Sequence, residues 1–185
     1  GNINTLKVLL QWINVSNINL TYHSFPRYTP LTAACTTGNI DMIKYLVSCG
    51  ADIDQPDGFY RYPLSVACKH GNLEAVKYFV KHGVNVNKDN CEYAPLHAAS
   101  LEGHVDIMRY LLDKGANIDL LDEFSRSPLY CAASKGQTAA VSILLDRGAN
   151  TDLPKWFKQT PLFIAAKENH IDIVTFLLER GARID

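Results

Sequence analysis

Apolar residues recur along this chain at helical spacing. Ile40, Ile43, Leu46 and Val47 stand at i, i+3, i+6 and i+7, and Val105, Met108, Leu111 and Leu112 repeat the spacing. Such a spacing gathers the apolar side chains into one stripe along a helix. Ahead of each stretch lies an x-Pro-Leu tripeptide, centred on Pro30, Pro63, Pro95, Pro128 and Pro161, with steps of 33, 32, 33 and 33 residues. Eight residues after each proline comes Gly38, Gly71, Gly103, Gly136 or Asn169, and twenty residues after it Gly50, Gly83, Gly115, Gly148 or Gly181. Three independent positions in register across five units define an internal repeat, the feature to establish before any other.

Each unit parses physically. Proline fixes φ and lacks an N–H, so it suits the first turn of a helix. A short helix follows, for example Leu31 to Thr36, and Gly38 ends it by entering the left-handed region. Asn169 is the residue type next best suited to that conformation, so the fifth unit keeps the turn. A second, striped helix runs to the second glycine. Then come short polar-flanked segments, Ala51 to Asp54, Val84 to Asn87, Ala116 to Asp119, Ala149 to Asp152 and Ala182 to Asp185, whose alternation predicts an extended stretch leading into a turn.

Helix, turn, helix and loop in about 33 residues, with Ala94-Pro95-Leu96-His97-Ala98-Ala99, Gly103 and Leu111-Leu112-Asp113-Lys114-Gly115-Ala116-Asn117 as the nearest matches, resembles the ankyrin-repeat family over the whole chain. The resemblance implies an all-α solenoid of stacked helix-turn-helix units with projecting β-hairpin loops. Repeats are expected at 26–58, 59–90, 91–123, 124–156 and 157–185, after a partial repeat at 1–25 in which Leu6, Val8, Leu9 and Leu10 align with a second helix. The partial first unit and the lack of a polar outer face at either end lead us to expect a segment of a longer protein.

Composition adds exclusions. Hydrophobic residues make up 47% and charged residues 20%, which is ordinary for a globular chain. Eighteen Lys and Arg against nineteen Asp and Glu leave a net charge of −1, without the basic bias of a dedicated nucleic-acid or membrane-surface binder. No apolar run approaches membrane-spanning length. Cys35, Cys49, Cys68, Cys91 and Cys131 are odd in number and include no Cys-x-x-Cys pair, so neither a disulfide framework nor a zinc site is expected. Scattered cysteines fit a reducing, intracellular setting, and we expect the cytoplasm, with the nucleus left open. The sequons at Asn14 and Asn19 are read as coincidental on the same ground.

Candidate chemistry is sparse. No histidine has a partner at metal-ligand spacing, and no nucleophile sits beside a base. In the resemblance, His97 ties adjacent turns by hydrogen bonding. His104 and His170 start second helices. Cys35 and Cys68 read as small core residues. No catalytic role, metal or cofactor is expected.

The repeats differ most in the turn before each x-Pro-Leu. Phe25 and Tyr28, then Phe59, Tyr60 and Arg61, then Tyr93, then Phe124 and Arg126, then Trp156 and Phe157 fall there. The family usually places Gly in the middle of this turn; this chain has Arg27, Tyr60, Glu92, Ser125 and Lys158. Loops are normally polar, whereas Trp, Tyr and Arg are enriched at binding hot spots. The alternative is that these rings pack turn on turn. We expect an exposed aromatic ladder, with Leu101 on the adjoining first-helix face as a further anchor. The resemblance implies non-catalytic recognition of a partner protein or peptide on a concave surface formed by the hairpin tips and first helices, by a monomeric array without nucleic acid or membrane. The other reading is a substrate-targeting or regulatory segment of a larger enzyme, such as a kinase or ubiquitin ligase, or of a channel.

Overall fold

The structure, a computed structural model, describes residues 18–19, 28–88, 94–153 and 159–184. Among them are ten helices in five pairs and no β-strand. The pairs are α1 (Pro30–Thr37) with α2 (Ile40–Ser48), α3 (Pro63–Lys69) with α4 (Leu73–Lys81), α5 (Pro95–Glu102) with α6 (Val105–Asp113), α7 (Pro128–Ser134) with α8 (Thr138–Asp146), and α9 (Pro161–Lys167) with α10 (Ile171–Glu179).

The first helix of every pair opens on its proline. In three pairs the preceding hydroxyl caps it: Thr29 Oγ1 accepts from Thr32 N at 3.0 Å, Ser127 Oγ from Tyr130 N at 3.1 Å, and Thr160 Oγ1 from Phe163 N at 3.2 Å. The Thr32 hydroxyl accepts in return from Thr29 N at 3.0 Å, so both orphan donors of that helix start are paired. Tyr62 and Ala94 supply no side-chain cap.

Gly38 ends α1 at φ 68°. A β-carbon there would collide with the side-chain amide of Asn72, which crosses the turn to donate to the Cys35 carbonyl. Gly103 is crossed in the same way by Gln137, whose amide donates to the Leu101 carbonyl at 3.2 Å. Asn169 takes the left-handed conformation at φ 63°, as its residue type predicts.

The chain divides into two compact units, Gly1–Val84 and Asn85–Asp185. In the first, α1 packs on α2 and α3, α3 on α4, and α2 on α4. Its core includes Leu31, Cys35, Ile43, Leu46, Leu64, Cys68, Val76 and Phe79. In the second, α5, α7 and α9 pack in succession, α6, α8 and α10 likewise, and each pair packs internally. Leu96, Ile107, Met108, Leu111, Leu129, Leu144, Ile173 and Leu177 are buried there. Each such side chain contributes roughly 1.5–3 kcal/mol by leaving water, and none can do so within a lone helix pair.

The segments expected to be extended are shorter than their alternation implies. After two residues the chain enters a turn at 53–54, 86–87, 118–119 and 151–152. The cause is local: Asp52, Asn85, Asn117 and Asn150 each accept the backbone N–H two residues on, at 2.8 to 3.1 Å. Side-chain bonds of this kind compete with extended pairing. The next polar residue then fastens successive loops. Asn19 donates to the Gly50 carbonyl at 3.2 Å and accepts from Asp52 N at 2.9 Å. In the second unit Asn87 accepts from Asn117 N, Asp119 from Asn150 N and Asp152 from Arg183 N, at 2.7 to 3.0 Å. A glycan on Asn19 would break this pairing, which is a structural reason to discount that sequon; Asn14 lies outside the described residues.

Candidate recognition surface

The two fully described turn tips are built alike. Asp57 and Asp122 are buried. Asp57 Oδ1 accepts from Phe59 N at 2.8 Å and Arg61 N at 3.1 Å, while Oδ2 accepts from Arg61 Nε at 3.0 Å and Nη2 at 2.7 Å. Asp122 repeats the arrangement with Phe124 N at 2.9 Å, Arg126 N at 2.8 Å and Arg126 Nε at 2.7 Å. Each tip closes on itself: Asp57 N donates to the Arg61 carbonyl, and Asp122 N to that of Arg126, both at 3.0 Å. This single closure stands where the hairpin strands were expected.

The arginine then covers the phenylalanine. The Arg61 guanidinium lies 4.7 Å from the Phe59 ring centre, and that of Arg126 lies 4.7 Å from Phe124, within cation–π range. In the first unit Tyr28 joins the cluster, 4.5 Å from the Arg61 guanidinium and edge-on to Phe59 at 5.8 Å. The middle of each tip is held left-handed, Tyr60 at φ 61° and Ser125 at φ 56°, the conformation for which the family usually uses Gly.

Of the residues singled out in the sequence, Phe59, Tyr60 and Phe124 are exposed at 38%, 66% and 41%. Tyr28, Arg61 and Arg126 are half-buried within the clusters just described, and Leu101 is half-buried on α5. Phe25, Tyr93, Trp156 and Phe157 lie outside the described residues. The two arginines expected as partner contacts thus hold their own turns. The sequence reading passed over three residues. Asp57 and Asp122 were legible only as the recurring Asp-x-Phe-x-Arg pattern, and Leu121, 40% exposed, as an apolar residue in a loop.

His97 is fully buried, and its Nε2 donates to the Arg126 carbonyl at 2.8 Å. It therefore ties α5 to the next turn tip. Burial pushes the thiols of Cys35 and Cys68 far up, which keeps them protonated and poorly nucleophilic. Among the described residues no group of three or more His, Cys, Asp or Glu side chains is placed to hold a metal, and no helix is long and apolar enough to cross a membrane. An open cleft of about 340 Å³ is lined by Gly136, Thr138, Asn169, His170, Asp172 and neighbours.

Helix pairs stacked in register at a 33-residue step define an all-α repeat protein. The family model for a single ankyrin repeat matches residues 27–58, and the model for arrays of three ankyrin repeats matches residues 49–122 and 115–185. The chain belongs to the ankyrin-repeat family. Proteins of this kind generally serve as protein–protein interaction modules and are typically non-catalytic. No curated protein matches the chain.

Proposed function

We propose that this chain is a non-catalytic recognition array that binds a partner protein or peptide through its turn tips and the adjoining first-helix faces. The observation that carries the reading is the pair of clamped tips. Each unit presents exposed rings, Phe59 with Tyr60 in one and Phe124 in the other, on a turn whose conformation is fixed by a buried aspartate. Rings fixed before binding lose little ordering entropy on contact. They also supply large apolar area with few rotatable bonds. Lys69 and His70, Glu102, and Ser134 with Lys135 stand at the C-terminal ends of the first helices. In the cell the array works in the cytoplasm as a monomer.

The test is alanine substitution at Phe59, Tyr60 and Phe124, each weakening partner affinity by roughly 1–3 kcal/mol with the helical signal unchanged. Arg61 and Arg126 are poorer probes, because each also pairs with the buried aspartate of its own turn. A partner bound equally well by all three variants sinks the reading.

A further inference from the structure

The first tip differs from the second at a position that bears on covalent chemistry. Asp57 is followed by Gly58, the only Asp-Gly pair in the chain, whereas Asp122 is followed by Glu123; no Asn-Gly pair occurs. An aspartate before glycine is prone to close a ring on itself. The next amide nitrogen attacks the side-chain carboxyl carbon, and glycine, with no β-carbon, leaves that approach open. Here the attacking nitrogen belongs to the half-buried Gly58, and the target is Cγ of the buried Asp57. The native turn opposes the step in two ways. The departing oxygen must leave as water and so needs a proton. Yet Oδ1 already accepts from Phe59 N and Arg61 N, and Oδ2 from Arg61 Nε and Nη2. A proton on either oxygen competes with those donors. The peptide group joining Asp57 to Gly58 is also held, because its carbonyl accepts from Tyr60 N at 2.9 Å. Turning its nitrogen onto Cγ costs that bond.

We infer that Asp57-Gly58 is a latent modification site, closed while the aspartate clamp is intact and reactive whenever the tip opens. Surface turns open at lower cost than the core beneath them. In the open tip Gly58 N bonds to Asp57 Cγ. The amide hydrogen and the carboxyl OH leave together as one water, and a cyclic imide forms. Water then adds to the former main-chain carbonyl and breaks its bond to nitrogen. The product is isoaspartate, unchanged in composition, with the chain now running through Cβ and Cγ; water is the only co-reactant. The backbone is longer by one methylene, and the free carboxylate hangs directly from Cα. The clamp cannot be rebuilt from this product. The shortened carboxylate no longer reaches both backbone donors and the guanidinium together, and the carbonyl that accepted from Tyr60 N has become that carboxylate. A reversible opening is thus converted into permanent loss of the first tip. The second tip survives, because the Glu123 side chain hinders the same attack. One consequence rests on the proposed recognition role: the altered chain keeps Phe124 in place and loses the fixed display of Phe59 and Tyr60.

The test follows isoaspartate at position 57 in the full chain, held at neutral pH and body temperature. Peptide mapping locates it, and an isoaspartate-specific carboxyl methyltransferase with S-adenosylmethionine counts it. A synthetic peptide of residues 54–62 is the reference for an open turn. The intact chain is expected to isomerise at Asp57 about tenfold or more slowly than the peptide, and to show no isoaspartate at Asp122 over the same period. Arg61→Ala removes two of the four donors to Asp57. It is expected to raise the isoaspartate rate and the amide exchange of Phe59, whose N–H bonds the same carboxylate, by similar factors. If that variant unfolds the first unit, the rate rises to that of the peptide. Gly58→Ala added to Arg61→Ala removes most of the gain. Gly58 does not take the left-handed conformation, and Glu123 stands in its place in the second tip, so alanine suits the turn. A chain that isomerises at Asp57 as fast as the peptide overturns the inference. So does an isoaspartate rate in Arg61→Ala that does not follow exchange at Phe59, or isoaspartate at Asp122 as abundant as at Asp57. None of these readouts involves a partner, so a failure of the recognition role leaves them standing.

Discussion

A carboxylate that accepts four hydrogen bonds within its own turn has no capacity left for a partner. Asp57 is in that position, and its role is to set the angle at which its neighbours are shown. Asp57→Ala leaves two backbone donors and a guanidinium without their acceptor. It is expected to cost about 3 kcal/mol, as for breaking a buried ion pair, read from urea unfolding. Tyr60→Gly acts in the opposite sense. It relieves a left-handed residue at φ 61° and raises stability by about 0.5 kcal/mol or more, while partner affinity falls. A loss of stability in Tyr60→Gly would show that the ring's contacts outweigh the backbone strain. The buried thiols give a pH dependence. Cys35 and Cys68 are raised in the folded state, so their contribution is complete below the unfolded thiol value of about 8.5 and declines as pH rises beyond it. A denaturation midpoint that falls in alkali, and falls less in a Cys35→Ala/Cys68→Ala variant, is the expected result. In the native protein the half-buried Cys49 is expected to react with a disulfide reagent well before either of the buried thiols.

At the scale of the element, helix starts are unevenly secured, and the unevenness is correctable. Ala94 sits where Thr29, Ser127 and Thr160 cap their helices, and the buried Thr29 and Ser127 show that a hydroxyl fits in that environment. Ala94→Ser is expected to add about 1 kcal/mol, visible as a raised melting temperature. An unchanged melting temperature would mean that the N–H of His97 is already adequately paired. What the sequence revealed and what it hid also separate at this scale. The helix pairs were legible because proline and glycine answer local backbone demands that recur every unit. The reason that Gly38 cannot carry a side chain was not legible, because Asn72 reaches it only once two pairs have stacked. The short extended segments misled, since Asp52 and its counterparts bend the backbone by bonds that an alternation pattern does not register. Of the site, the exposed rings could be read, because aromatics in loops are conspicuous. The duty of Arg61 and Arg126 could not, because a guanidinium looks the same in sequence whether it faces a partner or its own aspartate.

For the whole molecule the balance of forces in recognition follows from where its charges are spent. The net charge is −1. Arg61 and Arg126 are paired with buried carboxylates, and Arg147 and Arg180 with Asp113 and Asp146 on successive second helices. Exposed pairs of the latter kind contribute at most about 1 kcal/mol and are screened by salt. In the two described tips the arginines are thus engaged within their own turns, whereas Phe59, Tyr60 and Phe124 offer apolar area. Partner affinity is accordingly expected to change less than about threefold as salt rises from about 0.1 M to about 1 M, where the screening length shortens from roughly 10 Å to 3 Å. The heat-capacity change on binding is expected to be negative, as apolar burial requires. Titration calorimetry at the two salt concentrations measures both. A steep loss of affinity with salt would move the contact away from the rings and onto the first-helix ends, where Lys69, Lys135 and Lys167 lie. It would also reopen binding to a polyanion, whose affinity falls with each counterion taken back. Weak salt dependence alongside losses at the three rings places the energy of recognition in the rings, and leaves to the buried aspartates the task of holding them still.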